Sequence, residues 1–171
     1  MPAEGGRVLD LAAGGGRHSV WFLDRGHDVT ALDRKVAALR KLRSSRPRDE
    51  RRRLEIVEAD LEDGSPWPLR GRRFDAIVVA NYLHRPLFPD LLRSLQPRGV
   101  LLYDTFAVGN ERYGKPSNPD FLLQSGELLS RVGSLQVVAF EQGLVEGDNG
   151  PAVRQRIAAV WGSAPLPLAA A

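Results

Sequence analysis

Asp10, Gly14 and Gly16 stand near the start of the chain in the stretch RVLDLAAGGGRHS, where an apolar run ends in an aspartate and a glycine-rich turn follows. Gly14 and Gly16 can adopt positive φ angles, and they let a ligand approach the backbone where a side chain would block it. The segment after the turn reads as a helix, and the first N–H groups of a helix have no partner within it. Such a turn holds a dinucleotide, a nucleotide or a sulfonium cofactor, or no ligand, so the turn alone does not identify its ligand.

The residues around the turn narrow this choice. The dinucleotide fingerprint G-x-G-x-x-G is incomplete, because Ser19 occupies the position of its third glycine, and the phosphate-binding G-x-x-x-x-G-K-[ST] is missing. Asp10 adds a negative charge at the end of the first predicted strand. We expect this carboxylate to repel a pyrophosphate and to attract a cation or an ammonium group.

Three further polar residues follow predicted strands: Asp33 ends the second strand, Asp60 the third and Asn81 the fourth. The carboxyl ends of parallel strands meet at one edge of a sheet, where ligands bind in doubly wound folds. Each residue also has a structural interpretation. Asp33 is suited to cap the next helix, and Asn81 to form a turn. Asp60 is also suited to an ordinary loop position, in which case Glu62 or Asp63 would contact the bound molecule instead.

Strand and helix patterns alternate along the chain. Apolar runs bounded by turn residues predict strands over 8–12, 28–33, 54–60, 74–81, 100–106, 135–142 and 155–161. Helical spacing and cap residues predict helices over 17–25, 36–46, 86–95 and 121–132. This order predicts an α/β fold: a Rossmann-like, doubly wound sheet of about seven strands, mostly parallel, with a C-terminal antiparallel hairpin. We expect a single domain over 1–162 and a flexible tail over 163–171.

The composition excludes several classes of protein. Of the 171 residues, 43% are hydrophobic and 26% are charged, which is typical of a globular domain. The sequence has neither an apolar stretch of about 18 residues nor a secretory signal, so we expect no membrane association. Cysteine is absent, which excludes disulfides and thiolate metal sites and fits a reducing cytoplasm. We predict a cytoplasmic protein without a metal site.

Residues 34–53 form a basic block with ten Lys or Arg residues and two acids. One interpretation is a surface that faces RNA. The other is a solvated helix face and loop in an arginine-rich chain, which the lack of interleaved aromatic residues favours.

The first motif resembles that of the class I S-adenosylmethionine-dependent methyltransferases. Their motif runs acidic-x-Gly-x-Gly-x-Gly, and the chain has Asp10-Leu-Ala12-Ala-Gly14-Gly-Gly16. Ala12 stands where the family usually has its first glycine. The resemblance implies that this turn binds the cofactor S-adenosylmethionine.

Later strand ends match the other motifs of the same family, in order, and the resemblance covers residues 7–162. It implies that Asp33 binds both ribose hydroxyls and that Asp60 faces the adenine amino group. It also implies that the backbone N–H of Leu61 meets an adenine ring nitrogen. Asn81, with Tyr82 after it, matches the fourth motif and joins the predicted cofactor-binding residues.

The resemblance implies methyl transfer to an acceptor by in-line displacement at an activated sulfonium. The Gly-Arg-His-Ser segment after the glycines is most similar to small-molecule methyltransferases of the tellurite-resistance and thiopurine type, so we expect a small-molecule acceptor. Alignment of the reactants carries most of such a reaction, and an obligatory catalytic residue does not follow from the sequence. The candidates lie after the fourth strand, in the fifth, and in the loop over 107–119; they are Tyr82, His84, Arg85, Asp104 and Tyr113.

Two other functions remain open at this point. The first is an RNA or protein methyltransferase that uses the basic block 34–53, and the second is a non-catalytic Rossmann-like binding or regulatory domain. The family usually has helices before its first strand that cover the cofactor, whereas seven residues precede Val8 here. We therefore expect an open site, a site completed by a partner or by a second subunit in a homodimer, or a start codon assigned too far downstream.

Overall fold

The computed structural model describes residues 5–147 and 150–162. Seven β-strands run through this part of the chain: β1 Arg7–Leu11, β2 Asp28–Asp33, β3 Leu54–Glu58, β4 Phe74–Ala80, β5 Leu95–Phe106, β6 Gln136–Val145 and β7 Ala152–Val160. The α-helices in the same part are α1 Arg17–Leu23, α2 Ala37–Ser45, α3 Arg48–Arg53, α4 Phe88–Arg93 and α5 Glu127–Arg131. The tail predicted over 163–171 lies outside the described residues.

The strands form one sheet in the order β3-β2-β1-β4-β5-β7-β6. The first five strands along the chain pair in parallel, whereas β7 lies antiparallel between β5 and β6. From β1 the chain moves outward through β2 and β3, and it then returns to place β4 on the other side of β1. The switch in strand order, where ligands bind in such folds, therefore lies between β1 and β4. The predicted fold class is confirmed.

The core lies on both faces of the sheet. One apolar cluster packs α1 and α2 against β1, β2 and β3, with Phe22 and Leu39 among its buried side chains. The cluster on the other face packs α4 and α5 against β4, β5 and β7, with Leu91 among its buried side chains. On the face that carries α1, the part of the sheet over β5 is less covered, because Val100 and Leu102 are only half-buried.

The helix predicted over 86–95 is shorter in the structure. It begins as a 3-10 turn at Arg85–Leu87 and continues as α4. Leu95 lies in β5 instead, where it pairs with Phe74 and is fully buried. Burial of this leucine against the neighbouring strand outweighs its helix propensity, so β5 begins earlier than the predicted 100–106.

The helix predicted over 121–132 is confined to α5. Leu122 and Leu123 are almost fully buried, and Leu123 forms a parallel bridge with Ala107. This short apolar run therefore packs in an extended form, which sequence periodicity does not distinguish from a helix.

Helix α3 was not predicted from the sequence. The helix predicted over 36–46 does end before Pro47, since α2 ends at Ser45. Pro47 then begins a new helix, with Asp49 and Glu50 in its first turn and arginines in its last. Acids at the start and bases at the end complement the helix dipole. The basic block therefore folds as two short helices.

The predicted C-terminal hairpin is present, with longer strands than the sequence indicated. β6 and β7 pair from Gln136 opposite Val160 to Val145 opposite Ala152, with an irregularity between Val137 and Ala139. Residues 148–149 in the connecting turn lie outside the described residues.

Candidate active site

The glycine-rich turn between β1 and α1 contains three residues in the left-handed region: Ala12 at φ 53°, Gly14 at φ 55° and Gly16 at φ 81°. An L-residue with a side chain pays about 1–2 kcal/mol for this conformation. Ala12 therefore adopts, at this cost, a backbone conformation that glycine adopts readily.

The glycines of the turn serve two different purposes. A Cβ atom added to Gly14 or Gly15 would meet no other heavy atom within 4 Å, so this backbone faces open space. A Cβ atom on Gly16 would lie 2.6 Å from Leu42 and 2.9 Å from Leu39. Gly16 thus allows α1 to pack closely on α2, and Gly14 and Gly15 leave the backbone accessible to a ligand.

Asp33 joins the turn to the helix after β2. Its Oδ2 accepts a hydrogen bond of 2.8 Å from the backbone N–H of Gly14, and its Oδ1 accepts one of 2.8 Å from that of Lys35. Asp33 therefore forms a turn that leads toward the next helix, but it does not cap α2, whose N-cap is Val36 without a side-chain hydrogen bond. Each carboxylate oxygen keeps a further lone pair, so this arrangement remains compatible with two additional hydroxyl donors.

Asp10 lies in β1 and supports the glycine-rich turn through hydrogen bonds to Ser19. Its side chain is 2% exposed, and its Oδ2 accepts hydrogen bonds from Ser19, at 2.8 Å from the backbone N and 2.6 Å from Oγ. Burial raises the pKa of this carboxyl, while the hydrogen bonds from Ser19 and the charge of His18 oppose that rise. Asp10 thereby fixes the start of α1 against the end of β1. Its predicted contact with the cofactor stays a prediction.

Asp60 and Leu61 follow β3 at the same edge of the sheet. Asp60 is exposed, and its Oδ1 accepts a 2.9 Å hydrogen bond from the backbone N–H of Glu62. Together with Arg34, Lys35 and other residues after β2 and β3, Asp60 lines a cleft of about 640 Å³. Leu61 is half-buried and packs against the core cluster that also holds Tyr82. Arg34 and Lys35 directly follow Asp33, so this cleft lies next to the end of β2.

Tyr82 follows β4 and is half-buried. Burial raises the pKa of its phenol, and the nearby carboxylates of Glu62 and Asp60 raise it further. The phenol therefore remains protonated at neutral pH, and Tyr82 is unsuited to act as a general base there.

Asn81, Asp104 and Arg154 form a polar network at the ends of β4 and β5. Asn81 has a φ of 56°, and its backbone N–H donates to the carbonyl oxygen of Asp104 at 2.9 Å. Arg154 donates from Nη2 to Asn81 Oδ1 at 2.6 Å and from Nε to Asp104 Oδ1 at 2.7 Å. The Arg154 side chain is 12% exposed, so it binds Asn81 and Asp104 from a largely buried position.

Arg154 and Ser19 were missed by the sequence analysis. Ser19 follows the glycines and was predicted neither as a partner of Asp10 nor as part of the support of the turn. Arg154 is 73 residues away from Asn81 in the sequence. The contact forms because β7 lies antiparallel to β5, with Arg154 opposite Phe106. The alternation of Arg154 and Arg156 in β7 was the feature of the sequence that could have indicated this contact.

The remaining catalytic candidates are dispersed. His84 precedes the 3-10 turn after β4 and is half-buried. Arg85 donates from Nε and Nη2 to Glu127, at 2.8 and 2.9 Å, and also to the carbonyl oxygens of Asp120 and Leu122. The guanidinium of Arg85 therefore anchors the segment before α5.

Tyr113 lies in the loop after β5 with 45% of its surface exposed. That loop is ordered from within by Asn110, which is 1% exposed, donates to the carbonyl oxygen of Pro116 and accepts from the N–H of Val153. Hydrogen bonds of the buried Asn110 therefore order this loop, while its outer residues, including Tyr113, face solvent.

The arrangement as a whole offers backbone N–H groups, an accessible turn and carboxylates along one edge of the sheet. Within residues 5–147 and 150–162, no group of three His, Asp or Glu side chains is placed to hold a metal ion. In the same part of the chain, no helix has the length and apolar character needed to cross a membrane.

Comparison with known protein families gives a match between the profile of the methyltransferase domain and residues 8–99. The matched segment covers more than half of the chain and contains the glycine-rich turn, Asp33, Asp60 and Asn81. The chain belongs to the methyltransferase domain family. The predicted resemblance is thereby confirmed.

Several curated relatives support this placement of the methyltransferase domain. An uncharacterized methyltransferase of Mycobacterium tuberculosis is 31% identical over 137 residues, which are 78% of this chain and 50% of the relative. The putative methyltransferase YqeM of Bacillus subtilis is 31% identical over 114 residues, which are 59% of this chain and 42% of the relative. The chain therefore spans about half the length of the curated relatives that it matches.

Solved structures show the same fold. TehB from Haemophilus influenzae superposes with a TM-score of 0.72 at 18% identity, over 92% of this chain and 58% of TehB. The glycopeptide N-methyltransferase MtfA superposes with a TM-score of 0.67 at 24% identity, over 94% of this chain and 85% of MtfA. At these identities the likeness establishes the fold alone.

Proposed function

We propose that this methyltransferase domain binds S-adenosylmethionine and transfers its methyl group to a small-molecule acceptor. The observation that carries the proposal is the position of Asp33, which bonds the N–H of Gly14 at 2.8 Å and lies beside the cleft of about 640 Å³ at the edge of the sheet. Family membership supports the activity. The structures of MtfA with S-adenosylmethionine, sinefungin and S-adenosylhomocysteine concern a protein with 22–23% identity to this chain, and they support the choice of cofactor.

The residues present fit the cofactor. The accessible backbone of Gly14 and Gly15 suits the close approach of a ligand, and the free lone pairs of Asp33 suit the two ribose hydroxyls. The cleft beside Asp60 suits the adenine ring, and the resemblance assigns the N–H of Leu61 to a ring nitrogen. Ala12 and Gly16 would shape the turn, and Asp10 would hold it in place through Ser19.

When bound, the cofactor supplies a methyl group on a sulfonium that is already activated for displacement. The protein then contributes chiefly by aligning the acceptor with that methyl group. Asp104 is paired with Arg154 at 2.7 Å and with Arg156 at 3.4 Å. We propose that Asp104 and Tyr82 shape the site.

Relatives of this chain are named for different acceptors. Relatives with 33% identity over 112 and 108 residues are named demethylmenaquinone methyltransferase, in Clavibacter sepedonicus, and malonyl-[acyl-carrier protein] O-methyltransferase, in Enterobacter lignolyticus. These names describe different acceptors, a demethylmenaquinone and a malonyl group on a carrier protein. The small-molecule acceptor, the RNA or protein alternative, the homodimer and the cytoplasmic location stay predictions.

Transfer of a labelled methyl group to a panel of acceptors tests the proposal. We expect incorporation into at least one small molecule, and we expect none into transfer RNA. Incorporation into RNA alone, lost when Arg51, Arg52 and Arg53 are replaced by alanine, would support the alternative that uses the basic block. Failure to bind the cofactor would contradict both methyltransferase functions.

A further inference from the structure

Arg154 of β7 holds the side-chain amide of Asn81 in one orientation. Its Nη2 donates a 2.6 Å hydrogen bond to Oδ1 of Asn81. A guanidinium only donates hydrogen bonds, whereas the two ends of an asparagine amide differ, because the oxygen accepts and the nitrogen donates. Arg154 therefore binds the amide oxygen of Asn81 and directs the amide nitrogen, Nδ2, away from itself.

The guanidinium of Arg154 is itself fixed by residues of β5. Its Nε donates to Oδ1 of Asp104 at 2.7 Å, and its Nη2 donates to the backbone carbonyl oxygen of Asp104 at 3.4 Å. The guanidinium carbon also lies 4.4 Å from the centre of the Phe106 ring. Hydrogen bonds between charged groups are stronger than those between neutral groups, so Arg154 is a firmly held donor for Asn81.

The backbone of Asn81 is fixed at the same place. Its φ of 56° lies in the left-handed region, which asparagine and aspartate adopt more readily than most other residues with a side chain. Its backbone N–H donates to the carbonyl oxygen of Asp104 at 2.9 Å. Asp104 and Arg154 thus bind both the backbone and the amide of Asn81. Because Asn81 is exposed, its Nδ2 is accessible to a molecule at this edge of the sheet.

Asn81 lies beside the glycine-rich turn. β4 pairs with β1 at the switch in strand order, with Val79 opposite Leu11. Asn81 follows Val79 by two residues, and the turn begins directly after Leu11. The hydrogen-bond donor that Asn81 offers is therefore next to the backbone that the proposed function assigns to the cofactor.

We propose that Arg154 is a positioning residue for cofactor binding and that Asn81 contacts the cofactor as a donor, through Nδ2. The inference rests on the proposed function, and it adds the role of Arg154 and the chemistry of one contact. The cofactor atom that meets Nδ2 is then a hydrogen-bond acceptor, such as an oxygen of the ribose or of the carboxylate. Arg154 acts through Asn81 and not on the cofactor itself.

A double-mutant cycle tests whether Arg154 acts through Asn81. Arg154→Met removes the donors and keeps an unbranched side chain. Asn81→Gly removes the amide, and glycine adopts the φ of 56° readily. In calorimetry with S-adenosylmethionine, we expect each single variant to bind about tenfold more weakly than the wild type, which corresponds to about 1.4 kcal/mol. The double variant should also bind about tenfold more weakly, and not about a hundredfold, because both changes remove the same contact.

Arg72→Met is the matched control at the opposite edge of the sheet. The Arg72 guanidinium donates to Glu55 at 2.6 and 2.9 Å and to Thr30 at 2.9 Å. It also lies 5.4 Å from the centre of the Phe74 ring. Arg72 thus resembles Arg154 in its partners, but it precedes β4 and lies at the amino ends of the parallel strands. We expect R72M to bind the cofactor with the affinity of the wild type.

Asn81→Asp keeps the test decisive if R154M does not fold, because it leaves Arg154 in place. Aspartate tolerates the left-handed region, and its carboxylate accepts from Arg154 but has no N–H to donate. We therefore expect N81D to be at least as stable as the wild type in urea denaturation and to bind the cofactor at least about tenfold more weakly. If Asn81 served only to form the turn, N81D would bind the cofactor as the wild type does.

Three results would overturn the inference. The first is a cofactor affinity of R154M that equals that of the wild type or of R72M. The second is losses in R154M and N81G that add in the double variant, and the third is wild-type affinity in N81D. Wild type that does not bind the cofactor would contradict the proposed function and this inference with it, whereas any of the three results in a protein whose wild type binds contradicts this inference alone.

Discussion

Glu127→Gln should destabilise the domain in a strongly pH-dependent way. The Glu127 side chain is 10% exposed and is paired with Arg85 at 2.8 Å and with Arg131 at 2.9 Å. It also accepts a 3.0 Å hydrogen bond from the backbone N–H of Gln124. Burial alone would raise the pKa of this carboxyl, but the hydrogen bonds from Arg85, Gln124 and Arg131 outweigh burial and lower the pKa from 4.5 to about 2.

The size and the sign of the effect follow from this pKa. Lowering the pKa from 4.5 to about 2 corresponds to about 3 kcal/mol of stability that the ionised Glu127 contributes. Because the pKa is lower in the folded protein, this contribution is complete above pH 4.5 and is lost as the pH falls toward 2. We therefore expect E127Q to lose about 3 kcal/mol of unfolding free energy at pH 7, and the difference from the wild type to shrink toward zero in acid.

Urea denaturation followed by tryptophan fluorescence, from pH 7 to pH 3, measures this difference. Glu58→Gln is the matched control, because Glu58 forms an ion pair with Arg40 at 2.8 Å in which both side chains are more than half exposed, at 55% and 68%. Exposed pairs contribute about 1 kcal/mol or less, so E58Q should change little. A loss in E127Q that stays constant with pH, or that is no larger than the loss in E58Q, would refute the reasoning.

Three further predictions concern the candidate site. Ala12→Gly should raise the unfolding free energy by about 1 kcal/mol, because glycine adopts the φ of 53° without the cost that alanine pays; lower stability in urea denaturation would contradict this. Asp10→Ala should lower the unfolding free energy by about 1–3 kcal/mol, because it leaves the buried N–H of Ser19 without its acceptor. Asp10→Asn keeps an acceptor and should lower the unfolding free energy less. Equal losses in the two variants would contradict this role of Asp10. Arg154→Gln should weaken cofactor binding about tenfold in calorimetry, because Asn81 loses a charge-assisted hydrogen bond of 2.6 Å; an unchanged affinity would show that Asn81 needs no such support.

Much of the fold follows from the sequence, because the strands are apolar runs bounded by turn residues. The run at β1 and the acid at the end of β2 lie where the pattern indicates. The parallel order then brings Asp33, Asp60 and Asn81 to one edge of the sheet without any knowledge of side-chain contacts. This part of the site depends on topology, which alternation of strands and helices specifies.

The rest depends on contacts that local sequence does not encode. The run at Leu122–Leu123 has a helical pattern in sequence, but it is extended because it pairs with Ala107. Gly16 resembles a ligand-binding glycine, but its lack of a side chain is required by Leu39 and Leu42 from another helix. The partnership of Arg154 with Asn81 requires β7 to lie beside β5. Each of these features is fixed by tertiary packing.

Calorimetry with S-adenosylmethionine tests the central claim most directly. The comparison is between the wild type, Asp33→Asn and Asp28→Asn, because Asp28 begins the same strand that Asp33 ends and is exposed. Asparagine at position 33 can still accept the hydrogen bond from Gly14 and so retain the turn, but it loses the charge and part of the acceptor capacity. We predict one-site binding to the wild type, equal affinity for D28N and at least about tenfold weaker binding to D33N. No binding to the wild type, or equal affinity for all three proteins, would contradict the account.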